Sequence, residues 1–134
     1  MVTCYIGIGS NLGDRLKIID SAIEELKRTD GIKFKRSSTI YETDPVSEIP
    51  QGKYLNGVLE IETDLDPKLL LKSLNRIEEK MGRKRTLKNT ARTMDLDILY
   101  YGDKTIEDKG LTIPHPRILE REFVLKGLRE LGKA

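Results

Sequence analysis

The periodicity of apolar residues changes between two and about 3.6 along the chain, and this alternation restricts the fold more than any other feature of the sequence. Alternating apolar side chains predict four strands, at 2–10, 33–43, 54–63 and 92–102. Apolar residues at steps of three and four predict one helix between the first two strands, another between the last two, and a third near the C-terminus. This order predicts an α+β, ferredoxin-like β-α-β-β-α-β fold: an antiparallel sheet with both helices on one face, followed by C-terminal additions.

Start and stop residues set the limits of the two main helices. The first helix is expected to bury a face that includes Leu16 and Leu26. The second is expected to start at Asp66 and Pro67, because aspartate caps a helix and proline suits its first turn, and to end at Gly82.

The segment GSNLGD at 9–14 could be mistaken for a phosphate-binding loop. It lacks the lysine and the spacing of a Walker motif. We therefore interpret it as a turn in which Ser10 or Asn11 caps the first helix.

Length and charge exclude several classes of protein. A chain of 134 residues is long enough for one hydrophobic core, so a single domain spanning 1–134 is expected. Its formal net charge of +2 argues against a nucleic-acid or membrane-surface protein. Without a secretory signal pattern or an apolar run of about 18 residues, a cytoplasmic protein is expected. The single cysteine, Cys4, is predicted in the core. Nothing indicates an obligate interface, so a monomer is expected.

Two aspartates interrupt the otherwise apolar strand RTMDLDILYYG. Because side chains alternate along a strand, Asp95 and Asp97 are expected on one face, about 6.6 Å apart. Leu96 and Tyr100 are expected on the opposite face. Neighbouring carboxylates repel each other and are costly to desolvate unless a cation or several donors compensate them. A magnesium ion that also binds phosphate is one such compensation. A solvated pair on an edge strand is the alternative.

Basic residues are concentrated directly before these aspartates. The segment 76–92 holds seven basic side chains and two acidic ones, although the whole chain is almost neutral. Arginines and a metal ion together neutralise the charge of a nucleoside triphosphate, which makes such a ligand the functional interpretation of this segment. A solvated loop is the alternative interpretation.

Four segments, taken in order, resemble the 6-hydroxymethyl-7,8-dihydropterin pyrophosphokinase family of folate biosynthesis. They are YIGIGSNLGDR, YLN after a proline-containing loop, RKR with RTMDLDILYYG, and LTIPHPRILEREFVL. The resemblance runs from about Tyr5 to Leu128. It implies a ferredoxin-like fold, two magnesium ions, ATP as co-substrate, and transfer of the β,γ-diphosphoryl unit of ATP to the hydroxymethyl oxygen of the pterin, with release of AMP.

The same resemblance implies the catalytic residues. Asp95 and Asp97 correspond to ligands of both magnesium ions. Arg83 and Arg92 correspond to arginines that bracket the triphosphate, a role that suits the planar guanidinium group. Catalysis in such a site depends on alignment and charge neutralisation more than on covalent chemistry.

Further positions correspond to the ATP site of the family: Asn75, Glu78, Arg85, Lys88, Thr112, His115 and Arg121. Arg85 and Lys88 fall in a loop that closes over the site in the family, although TLKNTA here lacks the tryptophan of some members. His115 is the only histidine and is expected to contact the nucleotide without transferring a proton. A structural hydrogen bond is the alternative role for His115.

The pterin-binding positions implied by the resemblance are Thr43, Asp44, Val46, Tyr54, Asn56 and Phe123. Tyr54 and Phe123 would stack on the two faces of the ring, and Asn56 would read its edge. Asp44 stands where some members have proline. Ordinary core packing is the alternative for the two aromatic residues, but an amide within an apolar strand requires hydrogen-bond partners.

Two other classes of protein share the predicted topology. A ferredoxin-like RNA-binding module should show exposed aromatic pairs on its central strands and a broad basic face, whereas this chain has only five tyrosines and two phenylalanines. A small regulatory ligand-binding domain would not need the two aspartates or the clustered arginines. The resemblance implies ATP and 6-hydroxymethyl-7,8-dihydropterin as partners, and neither nucleic acid nor a membrane is expected.

Overall fold

The computed structural model describes residues 1–10, 14–43, 54–81, 94–116, 118 and 121–133. Its strands and helices, in chain order, are β1 (Val2–Ser10), α1 (Arg15–Arg28), β2 (Ile32–Ser37), β3 (Tyr41–Thr43), β4 (Tyr54–Thr63), α2 (Pro67–Lys80), β5 (Asp95–Tyr101), β6 (Ile106–Asp108), β7 (Leu111–Ile113) and α3 (Glu122–Glu130). No helix in this described part is long and apolar enough to cross a membrane.

The main sheet has the strand order β2-β4-β1-β5, and β3 also pairs with β4. Every pairing in it is antiparallel. β6 and β7 form a separate two-stranded sheet. This arrangement confirms the predicted α+β fold with an antiparallel sheet, and the structure adds β3, β6 and β7 to the predicted strands.

The helices α1 and α2 cover one face of the sheet. Leu26 of α1 and Leu74 of α2 are fully buried in a core cluster with Ile6 and Ile61 of the sheet. As predicted, Asp66 caps α2, since its carboxylate accepts a hydrogen bond from Leu69 N at 2.8 Å.

The start of α1 differs from the prediction. Asp14 is the capping residue, because its carboxylate accepts a hydrogen bond from Lys17 N at 3.2 Å. Ser10 is instead the last residue of β1, where it pairs with Leu55, and Asn11 lies outside the described residues. Leu16, expected on the buried face, is 54% exposed in the first turn.

The third helix lies on the opposite face of the sheet, which the sequence analysis left without a helix. Val124 and Leu128 of α3 form a second buried cluster with Val58 and Leu99. A Cβ atom at Gly127 would lie 2.6 Å from Val58 Cγ2, so a glycine allows α3 to approach β4 this closely. Part of the second face is therefore covered by α3.

Two irregularities alter the predicted strands. The register between β1 and β5 shifts between Tyr5 and Ile6, so that Tyr100 packs against the second cluster with Leu99. The prediction that Tyr100 shares a face with Leu96 is therefore wrong, because a bulge reverses the alternation. The strand predicted at 33–43 is two strands, β2 and β3, separated by three residues.

Candidate active site

The two aspartates lie on the sheet face opposite α1 and α2. Asp95 pairs with Gly9 of β1, and Asp97 pairs with Gly7. Both carboxylates are half-buried, while Leu96 between them points into the core under the helices. Since paired residues project from the same face of a sheet, each aspartate has a glycine, and so no side chain, as its neighbour on β1.

Asn56 lies in the same transverse row as Asp95, because Gly9 pairs with both residues. The row crosses three adjacent strands, so the backbones of Asn56 and Asp95 are about 10 Å apart. A Cβ atom at position 9 would lie 2.5 Å from Asn56 Oδ1. The amide group of Asn56 therefore occupies the space that a side chain at Gly9 would fill.

Three of the predicted pterin-binding residues, Thr43, Tyr54 and Asn56, meet at one end of this row. Asn56 is 8% exposed, and its Nδ2 donates a hydrogen bond to Thr43 Oγ1. Thr43 pairs with Tyr54 across β3 and β4. Phe123 is half-buried on α3, where it packs against the second cluster that contains Val58. The fold thus brings Thr43, Tyr54 and Asn56 together on the face that α3 partly covers.

Glu78 makes a structural contact beneath the aspartates. Its side chain is 1% exposed, and its carboxylate accepts a hydrogen bond from Leu96 N at 2.8 Å. A buried carboxylate therefore holds the backbone of the residue between Asp95 and Asp97. This contact does not test the ATP-binding role predicted for Glu78.

The other described ATP-site candidates lie around β5. Asn75 is half-buried on α2, which packs against β5. Thr112 is exposed on β7, which also packs against β5. His115 N donates to Leu99 O of β5 at 3.0 Å, and Arg121 caps α3 with its backbone. Their predicted contacts with ATP stay predictions.

Six predicted site residues lie outside the described residues: Arg83, Arg85, Lys88, Arg92, Asp44 and Val46. Their predicted roles rest on the sequence alone.

The chemistry of the donor set fits magnesium with a bound polyphosphate. Among the residues that the structure describes, no group of three or more His, Cys, Asp or Glu side chains is placed to hold a metal ion. The pair Asp95 and Asp97 offers carboxylate oxygens from one face of one strand. Magnesium is commonly bound by one or two carboxylates, with waters and substrate phosphates completing its shell. Two aspartates are sufficient for that mode of binding.

Sequence reasoning missed the part that Gly7 and Gly9 play in shaping the site. Their spacing of two within an apolar strand places both glycines on one face. This signal was available in YIGIGS, but the neighbours of that face depend on the strand order.

Nearly the whole chain matches a known protein family. The family model described as 7,8-dihydro-6-hydroxymethylpterin-pyrophosphokinase (HPPK) matches residues 5–133. The Bacillus subtilis (strain 168) protein named 2-amino-4-hydroxy-6-hydroxymethyldihydropteridine pyrophosphokinase is 42% identical over 127 residues, which cover 95% of this chain and 76% of that protein.

Similar proteins include longer ones. The folic acid synthesis protein fol1 of Pneumocystis carinii is 44% identical over 128 residues, covering 96% of this chain and 17% of that protein. The chain therefore spans less than a fifth of the fungal relative's length.

Solved structures share the fold. HPPK-DHPS in complex with substrates has a TM-score of 0.71, with 18% identity, over 97% of this chain and 40% of that one. Wild-type Plasmodium falciparum HPPK-DHPS with SDX-DHP has a TM-score of 0.70, with 15% identity, over 98% and 40% of the two chains. The family model and the Bacillus relative together show that this chain belongs to the 7,8-dihydro-6-hydroxymethylpterin-pyrophosphokinase family.

Proposed function

We propose that this chain transfers the terminal diphosphate of ATP to the hydroxymethyl group of 6-hydroxymethyl-7,8-dihydropterin, giving AMP and the pterin diphosphate in folate biosynthesis. The observation that carries the proposal is the transverse row formed by Asn56, Gly9 and Asp95. An amide suited to a heterocycle edge and a carboxylate suited to a metal-bound phosphate face the same side, with a glycine between them.

Asn56, at one end of the row, would contact the pterin, and Asp95, at the other end, would bind the metal ions that hold ATP. Thr43 accepts from the amide of Asn56, which fixes the orientation of the groups that would read the pterin edge. Tyr54 and Phe123 supply aromatic surface for the ring. Because Asn56 and Asp95 lie about 10 Å apart, a ring held at Asn56 would present its hydroxymethyl group towards the aspartates.

The aspartates and arginines would organise the triphosphate. We propose that Asp95 and Asp97 bind two magnesium ions, whose positive charge offsets the phosphates and lowers the pKa of the attacking hydroxyl. Arg83 and Arg92 would hold the phosphate oxygens in forked hydrogen bonds. Transfer to an alcohol requires the entering oxygen, the phosphorus and the leaving oxygen in line, so positioning is the main contribution of these side chains.

Other parts of the proposal concern the nucleotide and the organisation of the chain. Asn75, Glu78, Arg85, Lys88, Thr112, His115 and Arg121 are proposed to contact ATP. Asp44 and Val46 are proposed to join the pterin site. We also propose that residues 1–134 act as one pyrophosphokinase domain and function as a monomer in the cytoplasm.

The identity of the nucleotide product tests the function. The protein is incubated with ATP, magnesium and 6-hydroxymethyl-7,8-dihydropterin, and the nucleotides are separated by ion-exchange chromatography. We expect AMP, formed only when the pterin is present, and a diphosphate on the pterin by phosphorus NMR. ADP would instead mark the transfer of a single phosphoryl group, and the absence of any pterin-dependent nucleotide product would overturn the proposal.

A further inference from the structure

The strand β3 is a short element of the proposed pterin site. It has only three residues, Tyr41–Thr43, and in the described chain it pairs with β4 alone. A strand this short with a single partner gains little stability from its own backbone pairing. Yet Thr43 at its end holds the amide of Asn56. Hydrogen bonds between Ser38 and Val58 of β4 hold the segment before β3, and contacts from outside the sheet add to them.

Two such contacts come from the last residue of α3. One carboxylate oxygen of Glu130 accepts a hydrogen bond from Thr39 N at 2.7 Å, and the other accepts one from the hydroxyl of Tyr41. Lys126, one turn earlier on α3, places its Nζ 5.8 Å from the centre of the Tyr41 ring. We refer to the group of Thr39, Tyr41 and Glu130 as the β3 clasp.

The location of Glu130 argues that the β3 clasp serves tertiary structure. Glu130 is the C-terminal residue of α3, where the helix dipole disfavours a negative charge. The hydrogen bond from Tyr41 and that from Thr39 lower the pKa of Glu130 below its usual value of 4.5, which keeps the carboxylate ionised as an acceptor. A glutamate at this position does not stabilise α3 itself.

The β3 clasp joins the two sides of the proposed pterin pocket. Tyr41 pairs directly with Asn56, so it belongs to the row that continues through Gly9. Phe123 lies at the other end of α3, about 10 Å along the helix axis from Glu130. The helix α3 therefore connects Phe123, the proposed stacking residue, to β3, whose Thr43 accepts the hydrogen bond from Asn56.

We propose that Tyr41 and Glu130 are positioning residues for the pterin: their hydrogen bond fixes β3 against α3 and so sets the placement of Thr43 and Asn56 relative to Phe123. This inference rests on the proposed function. It assigns no contact between the β3 clasp and ATP, because β4 and β1 separate β3 from β5 in the sheet and Glu130 lies at the opposite end of α3 from Arg121.

The test compares the affinities for the two substrates in variants of the full chain. Tyr41→Phe removes the donor, and Glu130→Gln replaces one carboxylate oxygen with an NH₂ group that cannot accept. We expect the KM for 6-hydroxymethyl-7,8-dihydropterin to rise about tenfold in each variant, while the KM for ATP and kcat stay within about twofold. Glu24→Gln is the matched control, since Glu24 is an exposed glutamate that pairs with Lys27 on α1.

The double variant separates positioning from general loss of stability. If Glu130→Gln keeps the hydrogen bond from Thr39 N and loses only the one from Tyr41, Tyr41→Phe with Glu130→Gln should raise the KM for the pterin no further than either single change. The side-chain amide resonances of Asn56 should also shift in each single variant. The melting temperatures of the variants, measured in parallel, should stay close to the wild-type value, so that lost stability does not explain the rise in KM.

Three results would overturn the proposal. An unchanged KM for the pterin would remove the β3 clasp from the site, provided that the wild-type protein forms AMP. Equal increases in the KM for ATP and for the pterin, together with a lower melting temperature, would assign Tyr41 and Glu130 to general stability. A wild-type protein that forms no AMP would overturn the proposed function, and the role of the β3 clasp in pterin binding would end with it.

Discussion

Glu78 on α2 accepts a hydrogen bond from the backbone of Leu96, the residue between the two aspartates of β5. In the described sheet β5 pairs with β1 alone, and this N–H group has its hydrogen-bond partner outside the sheet. The buried carboxylate supplies that partner. The positions of Asp95 and Asp97 are thus supported from the core before any ligand binds.

Removing the acceptor at position 78 should destabilise the protein. Glu78→Leu has a similar volume but leaves Leu96 N–H buried without this partner, at a cost of about 1–3 kcal/mol in the free energy of unfolding. Glu78→Gln keeps an acceptor oxygen and should lose less. Urea denaturation measures the free energies, and amide hydrogen exchange at Leu96 should be faster in Glu78→Leu. Glu79→Leu, at an exposed position of the same helix, is the control, and an equal loss in that variant would contradict the prediction.

The carboxylate of Asp97 should matter for activity and not for folding. Because the two aspartates repel each other without a cation, Asp97→Ala should leave the melting temperature unchanged or slightly raised. AMP formation should fall by at least about a hundredfold. Asp103→Ala, in the exposed turn after β5, is the control for a lost acidic side chain. Turnover near the wild-type rate in Asp97→Ala would refute the proposed magnesium ligand.

A methyl group at Gly9 should act on Asn56. A Cβ atom there would lie 2.5 Å from Asn56 Oδ1, so the amide must move away, although the backbone need not. We expect Gly9→Ala to raise the Kd for the pterin by about tenfold or more, as for a displaced hydrogen-bonding group. Gly7→Ala is a matched control, because its Cβ would meet Leu99 at 3.5 Å, an ordinary contact. Isothermal titration calorimetry with a nonhydrolysable ATP analogue measures both, and equal affinities would contradict the prediction.

Arg92 is expected to stabilise the charge that develops during transfer. Arg92→Ala should lower kcat by about two orders of magnitude or more, with a smaller change in the affinity for the pterin. Lys84→Ala removes a positive charge from the same basic segment at a position with no proposed role. Steady-state kinetics separate kcat from KM, and an unchanged kcat in Arg92→Ala would exclude this residue from the site.

The main elements could be predicted because their signals are local. The second helix is an example: Asp66 and Pro67 begin it, and Leu70 and Leu74 recur on one face, so the sequence contains both its limit and its orientation. β4 was predicted at 54–63 and is found at Tyr54–Thr63. Local propensity and apolar periodicity agree in these segments.

The errors occur where the outcome depends on distant residues. Tyr100 changes face because the register between β1 and β5 shifts, and a bulge is specified by both strands together. Leu16 has the spacing of a core residue, but it is exposed in the first turn of α1. α3 covers the second face because Gly127 fits against Val58, a contact between residues far apart in the chain.

The candidate site also combines features that local spacing predicts with features that depend on distant residues. That Asp95 and Asp97 share a face follows from their spacing alone. That Asn56 lies in the row of Asp95 depends on β1 being the neighbour of both β4 and β5. Asn56 was predicted as a site residue from the family resemblance. Strand order is not encoded in any short segment, so the row could not be derived from spacing.

The stability of the protein should fall at alkaline pH because of a buried thiol. Cys4 is fully buried in β1, and burial raises the pKa of its thiol from 9.0 to about 12. The native state then holds this proton more tightly than the unfolded chain does, so the thiol adds stability that is complete below pH 9 and is lost as the pH rises towards 12. Burial also raises the pKa of Tyr5 and of Tyr101, which act in the same direction at higher pH.

We expect urea denaturation between about pH 8 and about pH 11 to show a steeper loss of unfolding free energy in wild type than in Cys4→Ala, by at most about 1.4 kcal/mol per pH unit. The variant should be less stable at pH 8, because it leaves a small cavity, and should approach wild type as the pH rises. Parallel curves would show that the thiol does not ionise on unfolding in this range.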